Sequence, residues 1–545
     1  MKHNRTSHQG RLSIKTGVNI LANIVTSTLG PFGRTVVIQG PNGDPHPTKD
    51  GVTVAKHVEL VDPVENIGAQ MVKQAALQTA KKAGDGTTTT ICLAQTLVVN
   101  GFERFTPQTN LVEVKRGMDE ACKWVTSKLS DVATEVTSED QIYNIAMLSA
   151  NGDKEIGTLI NEAVKHVGPQ GIITVEESKS STTELELIDG IQFNRGYKSP
   201  YFVTNNDNMS AVMNDAYILI VKDKLSSVKE LVPILDFCSK GSKSLLIIAD
   251  DIEGEALAVL VANKIRGILK VTAVKAPDFG DRRLHILEDI AILTGGQVVS
   301  KEKGMKLDKY DISWLGKART ATVTSEDTTI IGGEGNIDLI DERISDIQNQ
   351  IKTSTSSFEK EKLNERLGSL TGGVAVLAIG SPTEIELKEK KDRVDDALHA
   401  TKAAIAEGYI PGGGVTLLCI SQLLLQHIES LPQNDAKMGW ELVKKAIESP
   451  FIKILNNAGI SSETLDLMIN DTLNSIKIKG KKISGNLTDI RTNTSKDWKK
   501  SGIIDPVKVT RLALENAVSV AGTILTTEAV LYDDELTAYN DTFGM

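Results

Sequence analysis

The chain has 545 residues, too many for one hydrophobic core, so about two to four domains are expected. Its formal net charge of −10 argues against a nucleic-acid binder, because phosphate neutralisation requires a concentrated basic face. The aromatic content of 4% also disfavours platforms on which bases stack.

The N-terminal stretch and the cysteines indicate the compartment. Residues up to Arg11 lack the apolar core of a signal peptide, and no apolar run approaches the roughly 20 residues that span a bilayer. The four cysteines are far apart and form no Cys-x-x-Cys pair, which favours buried thiols over disulfides or zinc ligands. We therefore expect a cytoplasmic protein with no membrane partner.

The first part of the chain alternates helices with glycine-rich turns. Apolar residues at helical spacing predict helices over residues 12–29, 66–82 and 111–129, and a β-branched stretch predicts a strand over 35–38. The first helix ends at Gly30-Pro31. The neighbouring Lys49 and Asp50 are either part of a solvated loop or a cation and a carboxylate that face one phosphate chain.

Two glycines around an aspartate, followed by four threonines, interrupt the helical pattern at residues 84–90. The glycines permit positive φ and close approach to a ligand, and the threonines begin a helix whose free N–H groups and dipole favour phosphate. Asp85 is placed to hold a metal that accompanies a triphosphate. Taken alone, the motif is more typical of an ordinary helix start after a tight turn, because short motifs often match by chance.

Between residues 190 and 373 strands and helices alternate, which predicts a separate α/β domain. Gly190 marks a candidate hinge, and strands are predicted at 171–175, 244–249 and 271–274. Two helices, 228–238 and 255–262, are apolar on more than one face. The pattern alone favours buried core for both, and the alternative is an exposed groove that binds other apolar segments.

The last third is predicted to be mostly helical. Apolar spacing predicts a helical hairpin over 340–367, a strand at 374–376 and a long helix over 392–407. Asp395 and Asp396 differ by about 100° around that helix, so only one of them faces a given ligand. A third glycine turn lies at 412–414, and the polar stretch 477–500 is either irregular or a hairpin.

No Walker-type phosphate loop and no His-Glu-x-x-His pair is present, so phosphate binding requires several separated loops. Such stretches occur in the order and spacing of a group I chaperonin, and the chain resembles this GroEL-like 60 kDa heat-shock protein family over nearly its whole length. The stretches are Thr28-Leu29-Gly30-Pro31, Thr48-Lys49-Asp50-Gly51, Gly84-Asp85-Gly86-Thr87-Thr88-Thr89, Asp396 within Arg393-Val394-Asp395-Asp396-Ala397-Leu398, and Gly412-Gly413-Gly414.

The resemblance implies a site for ATP and Mg²⁺, with K⁺ as a further candidate ion. Asp396 would orient the attacking water with assistance from Asp50, because in-line attack on a γ-phosphate needs a positioned water. Asp85 would be the magnesium ligand. The nucleotide contacts implied by the resemblance are Thr28, Leu29, Gly30, Pro31, Lys49, Asp85, Gly86, Thr87, Thr88, Thr89, Gly413, Asp489 and Asp505.

The resemblance also implies a multidomain α/β and α fold in which two of three domains are split in the sequence. A mainly helical equatorial ATP-binding domain would take residues 1–134 and 408–545, a small intermediate hinge domain 135–189 and 374–407, and an α/β apical domain 190–373. The apical residues that match a client-binding groove are Tyr197, Tyr201, Phe202, Val232, Leu235, Leu257, Val261 and Ala262. This reverses the preference for buried core at the two apolar helices.

The function that the resemblance implies is ATP-dependent folding of unfolded protein clients within a homo-oligomeric ring of seven. A co-chaperonin lid is a further candidate partner. The alternative is a binding or assembly scaffold with the same fold and little ATP turnover, whereas a metabolic kinase lacks an identifiable acceptor pocket.

Three departures from the family pattern bear on these expectations. Phe32 replaces a lysine usual in the first loop, and Thr488-Asp489-Ile490-Arg491 stands where a tyrosine-asparagine-alanine-alanine stretch is common, which affects the adenine contacts. The cross-ring arginine–glutamate pair of the family falls on Ile452 and Ser461. Loss of that pair predicts weaker pairing between rings.

Overall fold

A computed structural model describes residues 2–39, 44–150, 152–168, 171–178, 180, 182–205, 209–354, 356–371 and 373–533. The chain forms two compact units, one made by Met1–Ile160 together with Asp392–Met545 and the other by Asn161–Lys391. Among the described helices, none has the length and apolar character needed to cross a membrane.

The first unit is mainly helical, and its long helices share one apolar core. Several helices begin at an Asp or Asn whose side chain accepts backbone N–H groups of the first turn, as Asp62, Asn110 and Asn434 do. Its helices are Ser7–Val25, Gly51–His57, Pro63–Ala83, Thr87–Arg104, Leu111–Val132, Glu139–Ser149, Val415–Glu429, Asp435–Asn457, Ser462–Ser475, Trp498–Ser501 and Val507–Leu525. The chain passes between the two units within helices Lys154–Val167 and Glu384–Glu407.

Short antiparallel sheets connect the helices of this unit. Within the described residues, three of them are two-stranded, and they pair Lys2–Thr6 with Ala529–Asp533, Val36–Gln39 with Pro45–Thr48, and Tyr409–Pro411 with Ile504–Pro506. The polar stretch 477–500 forms a three-stranded sheet of Ile476–Lys479, Lys482–Asp489 and Thr494–Asp497, followed by a short helix. The hairpin alternative for this stretch is therefore confirmed.

A seven-stranded mixed sheet forms the centre of the second unit. Its order is Gly190–Phe193, Thr328–Gly333, Gly316–Val323, Ala211–Val221, Ser244–Ala249 and Lys270–Lys275, and Val298–Val299 also pairs with Ala211–Val221. The last three strands of the main order run parallel, with Leu246 opposite both Ile218 and Thr272. Every residue of Ser244–Ala249 is buried, because helices cover both faces of the sheet.

Helices Val232–Lys240 and Gly254–Ile265 pack on one face of this sheet, and Gly280–Thr294 packs on the other. A second sheet places Val374–Ile379 between the parallel strand Ile172–Glu177 and the antiparallel strand Glu184–Ile188. The predicted hairpin consists of helices Ile337–Thr353 and Ser357–Thr371.

Most predicted elements are present, with limits that differ by a few residues. The helix predicted over 228–238 is instead a 3₁₀ turn, Val228–Glu230, followed by the α-helix Val232–Lys240. Pro233 lies in the first turn of the α-helix, where its missing N–H leaves no intrahelical bond unmade. The helix predicted over 392–407 begins earlier, at Glu384.

The four cysteines are buried free thiols, as predicted. Burial raises the pKa of Cys92 to about 11 and that of Cys122 to about 12, so both remain protonated and weakly nucleophilic.

Candidate functional site

The Gly84-Asp85-Gly86 turn joins two helices of the first unit through left-handed backbone. Gly84 ends helix Pro63–Ala83 with φ of 82°, and Gly86 precedes helix Thr87–Arg104 with φ of 96°. A Cβ atom at Gly84 would lie 2.2 Å from Cβ of His399, so the helix that carries Asp396 touches this turn. Glycine is therefore favoured at both positions by the backbone conformation, and at Gly84 it is also needed for space.

Polar groups surround the start of helix Thr87–Arg104, which is called the threonine helix below. The hydroxyl of Thr90 lies 3.0 Å from that of Thr79, which accepts a hydrogen bond from Asn516 at 2.8 Å. By contrast, the buried Oγ1 of Thr87 has no hydrogen-bond partner among the described residues. A buried hydroxyl without a partner at a helix N-terminus fits an anion or its metal ion, because both would satisfy it.

The first glycine-rich turn is held from the far end of the sequence. A 3₁₀ turn, Thr26–Thr28, follows the first helix, and Asn457 donates two hydrogen bonds of 2.9 Å to the carbonyls of Thr26 and Leu29. Asn457 is the last residue of helix Asp435–Asn457. The sequence does not predict this contact, because no local pattern links Asn457 to a loop more than 400 residues away.

Asp50 begins helix Gly51–His57. Its carboxylate accepts the backbone N–H groups of Val52 at 3.0 Å and Thr53 at 2.8 Å. A Cβ atom at Gly51 would lie 2.0 Å from Oγ1 of Thr88, so this helix start touches the threonine helix. Lys49 and Asp50 are both exposed at the cavity wall.

A cavity of about 630 Å³ brings the separated loops of the first unit together. Asp489 lines it too, but its carboxylate is paired with Arg491. Thr87 is not on the wall and lies buried at the start of the helix behind it. The predicted residues on the wall are Thr28, Leu29, Gly30, Pro31, Lys49, Asp50, Asp85, Gly86, Thr88, Thr89, Asp396, Gly413, Asp489 and Asp505.

The ionised carboxylates of this cavity repel one another electrostatically. Removal from bulk water, together with the charges of Asp85 and Asp50, raises the pKa of Asp396 to about 7, although its side chain is exposed on the open cavity. Desolvation and the charge of Asp85 raise the pKa of Asp505 to about 6, while bonds from the N–H groups of Gly414 and Gly413 lower it. Desolvation also raises the pKa of Asp85. Such mutual repulsion favours binding of a cation.

The described residues contain no group of three or more His, Cys, Asp or Glu side chains that could by itself hold a metal ion. Asp85 lies on the cavity wall beside the helix N-terminus and offers a carboxylate, while the unpartnered hydroxyl of Thr87 is buried behind that wall. Mg²⁺ in nucleotide sites commonly takes one or two carboxylates and completes its coordination with phosphate oxygens and water. The residues present therefore fit Mg²⁺ that arrives with a triphosphate.

The second unit contains the residues predicted to bind clients, and they differ widely in exposure. Tyr201, Val232 and Ala262 are exposed, with Tyr201 66% and Val232 52% accessible. Phe202 is 0% and Leu235 8% accessible. The predicted contacts that are partly buried against the core are Tyr197, Leu257 and Val261.

The burial of Phe202 and Leu235 corrects the sequence-based assignment of these two residues to an exposed groove. Both side chains belong to the core between the sheet and its helices, so neither can touch a client in this structure. The 3₁₀ turn Pro200–Phe202 directs adjacent aromatic rings in opposite directions, with Tyr201 outward and Phe202 inward.

Comparison with known proteins identifies the family. The model of the TCP-1/cpn60 chaperonin family matches residues 21–535. The chain belongs to this family. Among solved structures, the chaperonin is similar to chaperonin gp146 from the bacteriophage EL 2 (Pseudomonas aeruginosa), crystallised in the presence of ATP-BeFx. The TM-score is 0.68 at 20% sequence identity, over 97% of this chain and 99% of the phage chain.

These matches confirm the predicted family and the chaperonin fold. Membership in a chaperonin family also supports a chaperone role for this chain. The division into equatorial, intermediate and apical domains stays a prediction.

Proposed function

We propose that this chaperonin hydrolyses ATP at the cavity of its first unit and uses the hydrolysis cycle to fold non-native proteins. The observation that carries the proposal is the cavity itself, where several separate parts of the sequence meet around a helix N-terminus and a set of aspartates. The similar phage chaperonin was crystallised with ATP-BeFx, which supports a nucleotide as the ligand here.

Each part of the cavity has a separate task in this proposal. The N–H groups at the start of helix Thr87–Arg104 and the hydroxyls of Thr88 and Thr89 bind phosphate oxygens, and Lys49 adds a positive charge. Asp85 is the protein ligand for Mg²⁺ in this proposal. When bound, Mg²⁺ neutralises charge on the phosphates and polarises the phosphoryl oxygens.

Asp396 orients the water that attacks the γ-phosphate, with Asp50 in an assisting role. Orientation requires an ionised carboxylate as hydrogen-bond acceptor, and phosphoryl transfer depends mainly on such positioning. Both oxygens of Asp50 already cap a helix, which leaves it less free than Asp396 to follow a moving water.

Clients bind to the exposed apolar side chains of the second unit. Tyr201, Val232 and Ala262 project from a 3₁₀ turn and two helices that the sheet supports from behind. Non-native chains expose apolar surface, and burial of that surface contributes about 25 cal/mol per Å² without regard to sequence. Association into a ring would multiply these sites around one chamber.

A steady-state ATPase assay with Mg²⁺, combined with an aggregation assay on a chemically denatured client, tests the proposal. We expect ATP turnover and ATP-dependent recovery of the client. Tight nucleotide binding without turnover would instead favour the alternative of a scaffold with the chaperonin fold.

A further inference from the structure

One face of the hairpin formed by strands Ile476–Lys479 and Lys482–Asp489 is basic. The two strands are antiparallel, and their side chains alternate in exposure, with Ile476, Ile483 and Leu487 buried in the core of the first unit. The exposed residues between them that lie away from the nucleotide cavity are called the lysine face below. They are Lys477, Lys479, Lys482, Ser484 and Asn486.

Positive charge is concentrated in this part of the chain. Residues 476–500 contain seven lysines and one arginine but only two aspartates, although the whole chain has a net charge of −10. Asp489 is paired with Arg491, and the carboxylate of Asp497 accepts the backbone N–H of Lys499 at 3.1 Å. The net charge that argued against a nucleic-acid partner is an average over the chain, and it hides this local basic surface.

The lysines of this face are not neutralised within the chain. Lys479 and Lys482 stand directly opposite each other across the hairpin. Side chains in such a pair are about 5 Å apart, and like charges at that distance destabilise a sheet. Among the described residues, no carboxylate forms an ion pair with these two lysines or with Lys477, whose Nζ donates to the carbonyl of Leu473 at 3.0 Å. A bound anion would relieve this repulsion.

The geometry of the lysine face suits the backbone of a nucleic acid. Lys477 and Lys479 are two residues apart on one strand, which separates their Cα atoms by about 6.6 Å, close to the spacing of successive phosphates in an extended single strand. Ser484 and Asn486 follow on the neighbouring strand, and neutral polar side chains of this kind accompany lysine at phosphate contacts. The face has no apolar side chain, whereas membrane insertion and protein interfaces both use apolar contacts.

We propose that the lysine face binds single-stranded nucleic acid through successive phosphates. The face has no aromatic side chain on which bases could stack, so binding is independent of base sequence. It depends strongly on salt, because each phosphate contact releases a condensed counterion. The residues of this face lie off the wall of the nucleotide cavity, and the inference therefore stands or fails separately from the proposed ATPase activity.

The test measures binding of a labelled oligothymidylate of about 20 nucleotides to the full-length chain by fluorescence anisotropy, over a series of salt concentrations. Excess ADP with Mg²⁺ keeps the oligonucleotide out of the nucleotide cavity. Two triple variants change the lysine face. One combines Lys477→Gln, Lys479→Gln and Lys482→Gln, and the other replaces the same three residues by Arg.

A matched control removes the same charge from the second unit. It combines Lys303→Gln, Lys306→Gln and Lys309→Gln, which are exposed lysines outside the hairpin. The control separates the effect of the lysine face from that of net charge. Circular dichroism and steady-state ATPase activity, which should not change in any of the three variants, check that each chain is folded.

We expect the Gln variant of the lysine face to weaken oligonucleotide binding at least about tenfold at low salt. The slope of log K against log salt concentration should become less steep by about 2, because each contact to a single strand contributes about 0.7. The Arg variant should bind like the wild type, since arginine keeps the charge. The control should stay within about twofold of the wild type, because its lysines lie elsewhere.

Several outcomes would overturn the inference. Failure of the wild type to bind the oligonucleotide, or equal losses in the two Gln variants, would show that the lysine face is not a nucleic-acid site. Polyglutamate and phosphatidylserine vesicles are tested in the same assay as competitors. Tighter binding of polyglutamate would assign the face to an acidic protein, and tighter binding of the vesicles would assign it to a membrane surface.

Discussion

The pKa of Asp396 shows how neighbouring groups in the cavity adjust the protonation of a single residue. Its pKa of about 7 has desolvation as the largest cause, followed by the charges of Asp85 and Asp50. A carboxylate with this pKa is poised between its two protonation states near neutral pH, a property common among catalytic groups. The adjacent Asp395 lies about 100° further around the same helix and is not on the cavity wall.

Substitution of Asp396 by Asn should reduce ATP hydrolysis about 100-fold and leave ATP affinity unchanged or slightly higher. Water orientation acts mainly in the transition state, and loss of one negative charge reduces repulsion of the phosphates. Single-turnover hydrolysis and equilibrium ATP binding measure the two effects. Asp395→Asn is the control and should behave like the wild type. Collapse of nucleotide affinity with normal turnover of bound ATP would contradict the assigned role.

The pH dependence of hydrolysis follows from the same residue. Because the ionised carboxylate is the active form, kcat/KM should fall as pH decreases through about 7, the pKa of Asp396 in the free protein. Below that value the fall should approach tenfold per pH unit. The measurement is a profile from pH 5.5 to 8.5, compared with Asp395→Asn, which should give a curve of the same shape displaced slightly to lower pH, because the Asp395 charge is the smallest contribution to the raised pKa of Asp396. A flat wild-type profile would exclude titration of Asp396 in the rate-determining step.

The ends of helices and the turns between them position the residues that line the cavity. Helix Asp435–Asn457 is an example, since its last side chain holds the loop that contains Thr28 and Leu29. The sequence predicts the loop, because Gly30-Pro31 ends a periodic helix. It cannot predict the two hydrogen bonds that Asn457 donates to this loop. The two bonds join residues that are distant in sequence and leave no periodic or compositional signal.

Asn457→Ala should raise the KM for ATP about five- to tenfold and change kcat less. Each lost hydrogen bond costs about 1 kcal/mol, and the loop must then be ordered by the nucleotide. Asn456→Ala removes a neighbouring exposed amide and serves as the control. Hydrogen exchange of residues 26–34 provides a second readout, with faster exchange expected only in Asn457→Ala. Equal KM values for ATP in the two variants would show that the hydrogen bonds of Asn457 do not position the nucleotide loop.

The client-binding elements show the same limit of sequence reasoning. Strand Ser244–Ala249 is predicted to the residue, because a run buried on both faces is continuous and apolar. Tyr201 and Phe202, in contrast, are adjacent aromatic residues of a 3₁₀ turn, and only the fold decides which one faces outward. Resemblance to a family motif assigns the same role to both residues. It therefore cannot distinguish the residue that contacts a client from the one that is buried in the core.

Tyr201→Glu and Val232→Glu should each weaken capture of an unfolded client severalfold and leave basal ATPase unchanged. A charge at the binding surface prevents burial of apolar area on both partners. Ile337→Glu replaces an equally exposed apolar residue of the same unit, at a helix start that tolerates acidic residues, and should have no effect. Light scattering of an aggregating client measures capture. If all three variants suppressed client aggregation as well as the wild type does, the client-binding site would have to lie elsewhere.

At the scale of the whole molecule, assembly depends on contacts that one chain does not contain. The residues aligned with the family's cross-ring pair are Ile452, which is partly buried, and Ser461, which is exposed. Ser461 has a local role, because it caps helix Ser462–Ser475 and its Oγ accepts the N–H of Thr464 at 3.4 Å. A serine selected for capping supplies no charge to a partner ring.

We therefore expect a seven-membered ring whose pairing with a second ring is weak and dependent on nucleotide. Exposed ion pairs contribute only about 0–1 kcal/mol each, but a ring interface repeats every contact, so loss of one pair per subunit accumulates. Seven chains of 58.8 kDa correspond to about 412 kDa and fourteen to about 823 kDa, which mass photometry separates. For the wild type, the single-ring mass should dominate on dilution without ATP. The double variant Ile452→Arg with Ser461→Glu should shift the population towards paired rings. The control Ile452→Arg alone should not produce this shift. A wild-type double ring that persists on dilution with and without ATP would contradict this expectation, because the interface would then be stable without the charge pair.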